Sequence, residues 1–558
     1  MASIRRQKIG NRTYWQIVES HRVNGKPKPK VIKHLGTTEK LLELINGQES
    51  PHEGFVFRSY SHGDVASLLK IAKETGIMST MERIFPSQQR KSLNVGKILL
   101  VGAIHRAIKP SSKRSFGTWA QTTTISRLMG FGTEKLTSQD FWDQMKVVTK
   151  ENILSCQEAM CKILEERNLI SDSLLHYDLT NYFTYIATTN LRSNLTKRGH
   201  SKQKRDDLRC FGLSQVVTKD FLLPVFSRLY EGNGSDAKQF SHTINSLKEF
   251  VTGISREISD ITLVFDRGSN SKSNFESLDT ENIGYVACLS PIHHKDLINI
   301  PIDAYSDIEV NNLIYPSYRT RKSVWGKQRT IVVLLSSRLK EGQIRGWDKQ
   351  INKIKDELEE LKNSLNSDRS RRTTALVTLK VQKIIHSFHG IDLFETDIKD
   401  EKKPKLTWKF DEAKYEELKT LYAGKRILVT NRDDWTTEDI ISAYHGQANV
   451  ERVFKSTKNP FHNAIRPQYH YTDHMIEVHV FICLTGFLLT QLLFYKLKVK
   501  NIEVTSIEDM LERLNKVREL EIVEKTNKAG RPKITRQLES CSKELRQLFD
   551  AAMSDMQE

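Results

Sequence analysis

Tyr444, Gln447, Glu451, Lys455 and Lys458 recur at i, i+3, i+7, i+11 and i+14. On a helix turning about 100° per residue, these positions share one face. That face carries a phenol, an amide, a carboxylate and two ammonium groups, while Val450, Val453 and Phe454 lie to its side and can anchor it to a core. An acid and two cations aimed at one place suit a phosphodiester with a metal ion on it. Taken alone, the same pattern is a solvated helix face with an i, i+4 Glu–Lys pair. The rest of the chain decides between these readings.

Two more carboxylates have an unusual context. Asp178 sits inside the apolar run Leu174–Thr180, and Asp266 ends the run Ile261–Phe265. Strand ends in open α/β sheets are where sites form. Three carboxylates converging at a sheet edge can hold two Mg²⁺ ions, which prefer oxygen ligands. Two such ions about 3.5–4 Å apart activate one oxygen and stabilise the leaving one, so no side-chain nucleophile is needed. Neither a glycine-rich phosphate loop nor a Ser/His/Asp arrangement competes in this sequence.

The elements around these residues follow from local pattern. Tyr14–Val18 and Val31–Leu35 read as a basic hairpin turning at Asn24-Gly25. Residues 60–170 read as helices, with Asn94 opening one that stops before Pro110 and Thr137 capping another. From Leu174 the order is three strands, a helix, a strand, a helix and a strand, with Tyr182–Ile186 continuing the first strand past a bulge. That order predicts an α/β domain with a mixed sheet, antiparallel at its start. From 291 to 425 the pattern lapses, with a basic run over Arg319–Val324 leading to a strand over Arg329–Ser336, a solvent-facing Lys/Glu-rich helix over Trp347–Leu365 and a charged loop over Asp392–Lys405. The strand Arg426–Thr430 resumes the domain, and Thr436 or Thr437 caps a helix that runs into Tyr444 and can bend at Gly446. The tail from 499 reads as helical and charged, with Gly530-Arg531-Pro532 a polar linker.

With 86 Lys and Arg against 68 Asp and Glu, the 558-residue chain carries a net charge of +18, which favours a polyanionic partner, nucleic acid first. The six scattered cysteines signal neither a zinc site nor a disulfide framework, and fit a reducing cytosol. The N-terminus is too polar for a signal peptide. The apolar segment Val478–Tyr495 contains His479, Thr485 and Gln491 and barely reaches the ~20 residues of a membrane span. It reads as a buried core helix.

Several ordered motifs then resemble one family. Tyr444, Glu451 and Lys458 stand at the spacing of the signature Tyr, two residues, Arg, three residues, Glu, six residues, Lys, with Gln447 at the Arg position. Tyr177-Asp178-Leu179-Thr180, Gly199-His200-Ser201-Lys202, Gly232-Asn233, Phe265-Asp266-Arg267-Gly268 and Arg466-Pro467 follow the family's blocks in order. His470, His474 and His479 resemble its block after the Glu helix, where they would pack or hydrogen-bond. The chain resembles a DDE transposase of the IS4 superfamily, of the IS1634 group of bacterial and archaeal insertion sequences.

The resemblance implies an RNase H-like catalytic fold, a mixed sheet with helices on both faces, interrupted by a β-rich insertion. The expected divisions are 1–50 hairpin, 60–170 helical and DNA-binding, 171–290 and 426–498 catalytic core, 291–425 insertion and 499–558 tail. It implies that Asp178, Asp266 and Glu451 hold two Mg²⁺ ions, with Mn²⁺ as a substitute. Tyr444, Gln447, Lys455, Lys458, Arg466, His200 and Lys202 would contact DNA. The implied partners are double-stranded DNA, as element terminal inverted repeats and target, and a second copy of the chain. The implied setting is the nucleoid of a prokaryotic cytoplasm. A nuclease without strand transfer and a DNA-binding protein that no longer cleaves are the alternatives.

Overall fold

The computed structural model describes residues 2–10, 12–23, 26–41, 55–86, 94–132, 137–170, 174–199, 202–219, 221–254, 257–365, 373–399, 404–466, 468–524 and 532–556. The basic N-terminal segment is a three-stranded antiparallel sheet of β1 (Ala2–Ile9), β2 (Arg12–Val23) and β3 (Lys26–Thr37). The expected hairpin is β2–β3, and its Asn24-Gly25 turn lies outside the described residues. β1 extends it, pairing antiparallel with β2 from Ala2 opposite Glu19 to Ile9 opposite Arg12, in what reads as a polar leader.

Strand β4 (Phe55–Ser61) precedes helices Gly63–Glu74, Ile77–Ile84 and Val95–Ile108. Asn94 caps the last of these by accepting from the Lys97 amide, and Thr137 caps helix Ser138–Lys146 by accepting from the Asp140 amide. These helices pack around the apolar helix Asp473–Val499, which is long and apolar enough to cross a membrane but is buried in the protein interior. A Cβ on Gly486 would lie 2.4 Å from the Ala103 carbonyl oxygen, so a glycine lets this helix cross closely over Val95–Ile108.

Strands β5 (Leu174–Thr184), β6 (Lys197–Arg198), β7 (Arg209–Thr218) and β8 (Pro224–Glu231) lead to helix Asp236–Gly253. Then come β9 (Thr262–Phe265), helix Lys272–Thr280 and β10 (Gly284–Leu289). β8, β7, β5, β9 and β10 lie side by side in that order. β5, β9 and β10 run parallel and the flanking pairs are antiparallel, so the sheet is mixed. The expected bulge in β5 is absent, since its pairing with β7 runs without a shift from Leu175 to Thr184.

Residues 291–425, expected as a β-rich insertion, divide in two. β11 (Ser306–Val310), β12 (Leu313–Val324) and β13 (Lys327–Leu335) extend the main sheet through β16 (Lys425–Thr430), giving ten strands. The excursion between β13 and β16 is mostly helical: Ser337–Leu365, Thr374–Ile384 and Glu412–Tyr422, with one hairpin of β14 (Phe394–Lys399) and β15 (Lys405–Phe410). The hairpin replaces the charged loop expected there. The helix expected to face solvent buries Trp347, Ile351, Ile354, Leu358, Leu361 and Leu365. These alternate at spacings of four and three, a narrow apolar seam that the Lys and Glu around it obscure in the sequence.

The tail is not all helical. β17 (Arg518–Glu524) and β18 (Ile534–Leu538) form a sheet with β4, joining both ends of the chain. Helices Ile507–Asn515 and Lys543–Met553 flank them. The Gly530-Arg531 part of the expected linker lies outside the described residues.

Both faces of the central strands are covered, which explains their continuous apolar runs. On one face Phe265 packs against Phe240 and Phe275, at ring separations of 4.5 and 5.9 Å. On the other, Val264, Val286, Cys288 and Leu428 meet Ile440, Ile441 and Tyr444 of helix Thr437–His445.

Candidate active site

Parallel pairing of β5 with β9 sets Leu174 opposite Thr262, Leu175 opposite Leu263 and His176 opposite Val264. Two residues beyond the last of these pairs stand Asp178, still in β5, and Asp266, in extended backbone just past the end of β9. With a side-chain period of two, both carboxylates emerge on the face that carries His176 and Val264. Helix Gln447–Lys458 crosses that same face.

The sequence expectation of one helix from Tyr444 to Lys458 is modified by a break. Thr437–His445 and Gln447–Lys458 are separate helices meeting at Gly446. The contact with β5 explains the glycine. A Cβ there would lie 2.2 Å from His176 Nε2, whose N–H donates to the Ala443 carbonyl at 3.0 Å. From that junction the second helix follows β5. Gln447 Nε2 donates to the Tyr177 carbonyl at 2.8 Å, Lys458 Nζ donates to Thr180 Oγ1, and the Tyr182 and Thr457 hydroxyls lie 2.7 Å apart. Glu451 follows Gln447 by one turn and is exposed, near enough for its charge to act on Asp178.

These neighbours change the electrostatics. The Asp178 carboxyl is pushed up to about 6, mainly by burial and further by the charges of Asp266 and Glu451. Lys202 Nζ opposes the shift from 4.0 Å and is itself fixed by donating to the Leu179 carbonyl. The Lys458 ammonium is pulled down to about 8, chiefly by burial, then by Lys202 and Arg466. Arg466 sits over Phe183, its guanidinium carbon 4.0 Å from the ring centroid, with Lys458 on the same small hollow.

Two residues expected at the DNA face are interior. Tyr444 is 5% exposed and its hydroxyl donates to Asp266 Oδ1 at 3.2 Å. Gln447 is 8% exposed and is spent on the Tyr177 carbonyl. The break at Gly446 and the close docking on β5 turn both inward. Lys455 is exposed, Lys202 and Lys458 flank Asp178, and His200 lies outside the described residues.

A cleft of about 340 Å³ opens over Asp266 and Glu451. Arg267, Lys425 and Arg426 also line it. Arg426, whose guanidinium is 5.0 Å from the Tyr444 ring centroid, was hidden in the sequence as the polar start of a strand. Among the described residues, no three His, Cys, Asp or Glu side chains stand close enough to hold a metal ion together. The donor set nevertheless suits a hard cation. Its oxygen donors are carboxylates, and Asp178 is raised first by burial and then by the charges of Asp266 and Glu451, a cost that a cation would relieve. The downstream histidines are otherwise engaged. His479 Nε2 donates to the Ile465 carbonyl at 2.8 Å, and His470 packs on Trp142 at 5.2 Å between ring centroids.

Residues 188–486, more than half of the chain, match the family model described as Transposase DDE domain. The chain belongs to the DDE transposases and is a DDE-type DNA transposase. Residues 2–51 match the model for the IS1634 family transposase N-terminal domain, which places it in the IS1634-like group. The DDE match includes Asp266 and Glu451, while Asp178 lies just upstream of it. No curated protein matches the chain. Among solved structures, it is similar to the cryo-EM structure of a piggyBac transposase synaptic complex with hairpin DNA. That match has 9% identity and a TM-score of 0.33, covering 80% of this chain and 79% of the other.

Proposed function

We propose that this transposase cuts the terminal inverted repeats of its own insertion sequence and joins the freed 3′ ends to target DNA. The carrying observation is Asp178 in β5 and Asp266 at the end of the adjacent parallel β9, each two residues beyond the His176–Val264 pair, with the Glu451 helix docked on β5. The strand order β8-β7-β5-β9-β10 supports an RNase H-like core, with the first acid on its central strand and the second at the end of the adjacent parallel one.

Asp178, Asp266 and Glu451 would hold divalent metal, Mg²⁺ or Mn²⁺, which when bound supplies an activated oxygen nucleophile and charge stabilisation at the phosphate. Around it the chain's own groups have distinct tasks. Tyr444 orients Asp266 through its hydroxyl. Lys202 and Lys458 place positive charge where a phosphate oxygen turns away from the carboxylates. Lys455 and Arg466 grip the backbone beside the cut. In the first step water attacks phosphorus, the P–O3′ bond breaks, and the 3′ oxygen leaves with a proton. In the second step that 3′-OH attacks a target phosphodiester. One P–O bond forms and one breaks, so no energy source is consumed. The basic N-terminal sheet adds affinity that weakens with salt. Pairing two ends calls for a homodimer, and the setting is a prokaryotic cytoplasm.

The test is purified protein, Mg²⁺ and labelled element ends. Cleavage followed by joining, both lost in Glu451→Gln, supports the reading. Cleavage without joining indicates a nuclease, and binding without cleavage sinks the catalytic assignment.

A further inference from the structure

A second cavity, of about 440 Å³, lies between the N-terminal helices and the segment that follows Arg466. Its wall contains Arg106, 1% exposed, and Lys113. Arg106 spends Nη1 on the Ser111 carbonyl at 3.0 Å and Nη2 on the carbonyls of Ala464 and Arg466, and its Nε has no partner among the described residues. Lys113 Nζ donates to His479 Nδ1 at 3.2 Å and lies 5.1 Å from the Phe141 ring centroid. No carboxylate pairs with Arg106 or Lys113 among the described residues, and no Asp or Glu is among the described residues that line the cavity. Burial, and then the Arg106 charge, pull the Lys113 ammonium down to about 7, a shift that a bound anion would reverse. Arg114 adds a third cation at the mouth.

The remaining lining is of two kinds. Ser111, Ser112 and Ser138 offer hydroxyls, the last from the first turn of helix Ser138–Lys146, whose dipole favours an anion. Trp142, Tyr469 and Tyr471 form an aromatic rim, and both tyrosines are about half exposed. His470, 3% exposed, has a buried Nδ1 with no partner and packs at this rim. An anion explains the unpaired cations, and a flat apolar group explains the rim.

We infer that this cavity binds one nucleotide unit, its phosphate on Lys113, Arg114 and the serine hydroxyls, with the carbonyl-held Arg106 as fixed positive charge behind them, and its base against Trp142 and Tyr471. The volume falls within the ~300–1,000 Å³ of ordinary small-ligand sites. The unit can be a free nucleoside monophosphate or one residue of a DNA strand, since both present the same phosphate and base. The Arg466 carbonyl on Arg106 ties the cavity wall to the segment that carries the Arg466 side chain toward β5.

The test uses the full chain in EDTA, so it is independent of the carboxylate assignment and fails separately from it. The probes are thymidine, thymidine 5′-monophosphate and a short oligothymidylate, read by calorimetry and by melting temperature. The monophosphate is expected to bind and raise the melting temperature, and thymidine is not. Lys113→Gln with Arg114→Gln is expected to abolish the monophosphate's binding. Trp142→Leu is expected to weaken binding about tenfold or more, as loss of one base–aromatic stack does. If Lys113→Gln unfolds the chain, Arg114→Gln with Tyr471→Leu, both at the mouth, gives the same comparison. Competition between oligothymidylate and monophosphate identifies a DNA strand as the occupant, whereas monophosphate binding without competition identifies a free nucleotide. Absence of monophosphate and oligothymidylate binding, or binding unchanged in the folded variants, overturns the inference.

Discussion

Gly446 presses its Cα face against the His176 imidazole so closely that a methyl group there would sit 2.2 Å from Nε2. This contact sets the height of the Glu451 helix above β5, and with it the approach of the third carboxylate to the first. Gly446→Ala is expected to destabilise the fold by about 1–3 kcal/mol, the usual cost of overpacking. It should also slow cleavage more than stability loss explains. Denaturant midpoints and cleavage rates at saturating DNA, measured on the same preparation, separate the two effects.

Tyr444→Phe removes the hydroxyl that donates to Asp266 while keeping the buried ring. A lost hydrogen bond to a charged group is worth about 1.5–3 kcal/mol. Cleavage should therefore fall roughly 10- to 100-fold, with the metal concentration for half-maximal rate moving upward. An unchanged rate would remove Tyr444 from the site.

Asp178 is held above its ordinary range, at about 6, by burial and then by its carboxylate neighbours. The sign follows from proton linkage. Between the ordinary aspartate range and pH 6 the folded chain binds the extra proton, so stability falls as pH rises through that window. Above it the ionised carboxylate is a standing cost in the metal-free protein. Asp178→Asn should thus raise the metal-free melting temperature at about pH 7 to 8, show little gain in acid, and abolish cleavage. Melting curves in EDTA across pH check the first part.

Lys458 is charged below about 8 and neutral above it. Its contribution to DNA affinity should be present at lower pH and fade as pH rises through that value. A phosphate beside it would move the transition upward. Lys458→Met should flatten this part of the profile and reduce the salt slope of binding by about one phosphate contact. Titrations at several salt concentrations and pH values read both quantities.

Much of this site was legible in the sequence because its parts are local. Asp178 interrupts an apolar run, Asp266 ends one, and Thr436 caps the helix that leads to Tyr444, accepting from the Asp439 amide as its residue type predicts. What stayed hidden depends on partners distant in sequence. Nothing local says that Tyr444 and Gln447 turn inward, because the reason is a single glycine meeting a histidine 270 residues earlier in the chain. The extension of the sheet by β11 and β12 was hidden likewise, since β12 alternates exposed with less exposed residues, whereas the buried run of β13 reads as a strand in the sequence. The pairing of β17 with β4 joins opposite ends of the chain and leaves no trace in either segment alone.

The most direct measurement is single-turnover cleavage of an element end by Asp178→Cys, Asp266→Cys and Glu451→Cys, each with Mg²⁺ and with Mn²⁺. Thiolates bind the softer ion better than Mg²⁺. If the three carboxylates share the metal, each variant loses cleavage in Mg²⁺, and at least one recovers it in Mn²⁺. Retention of the full Mg²⁺ rate by any of the three would contradict the account.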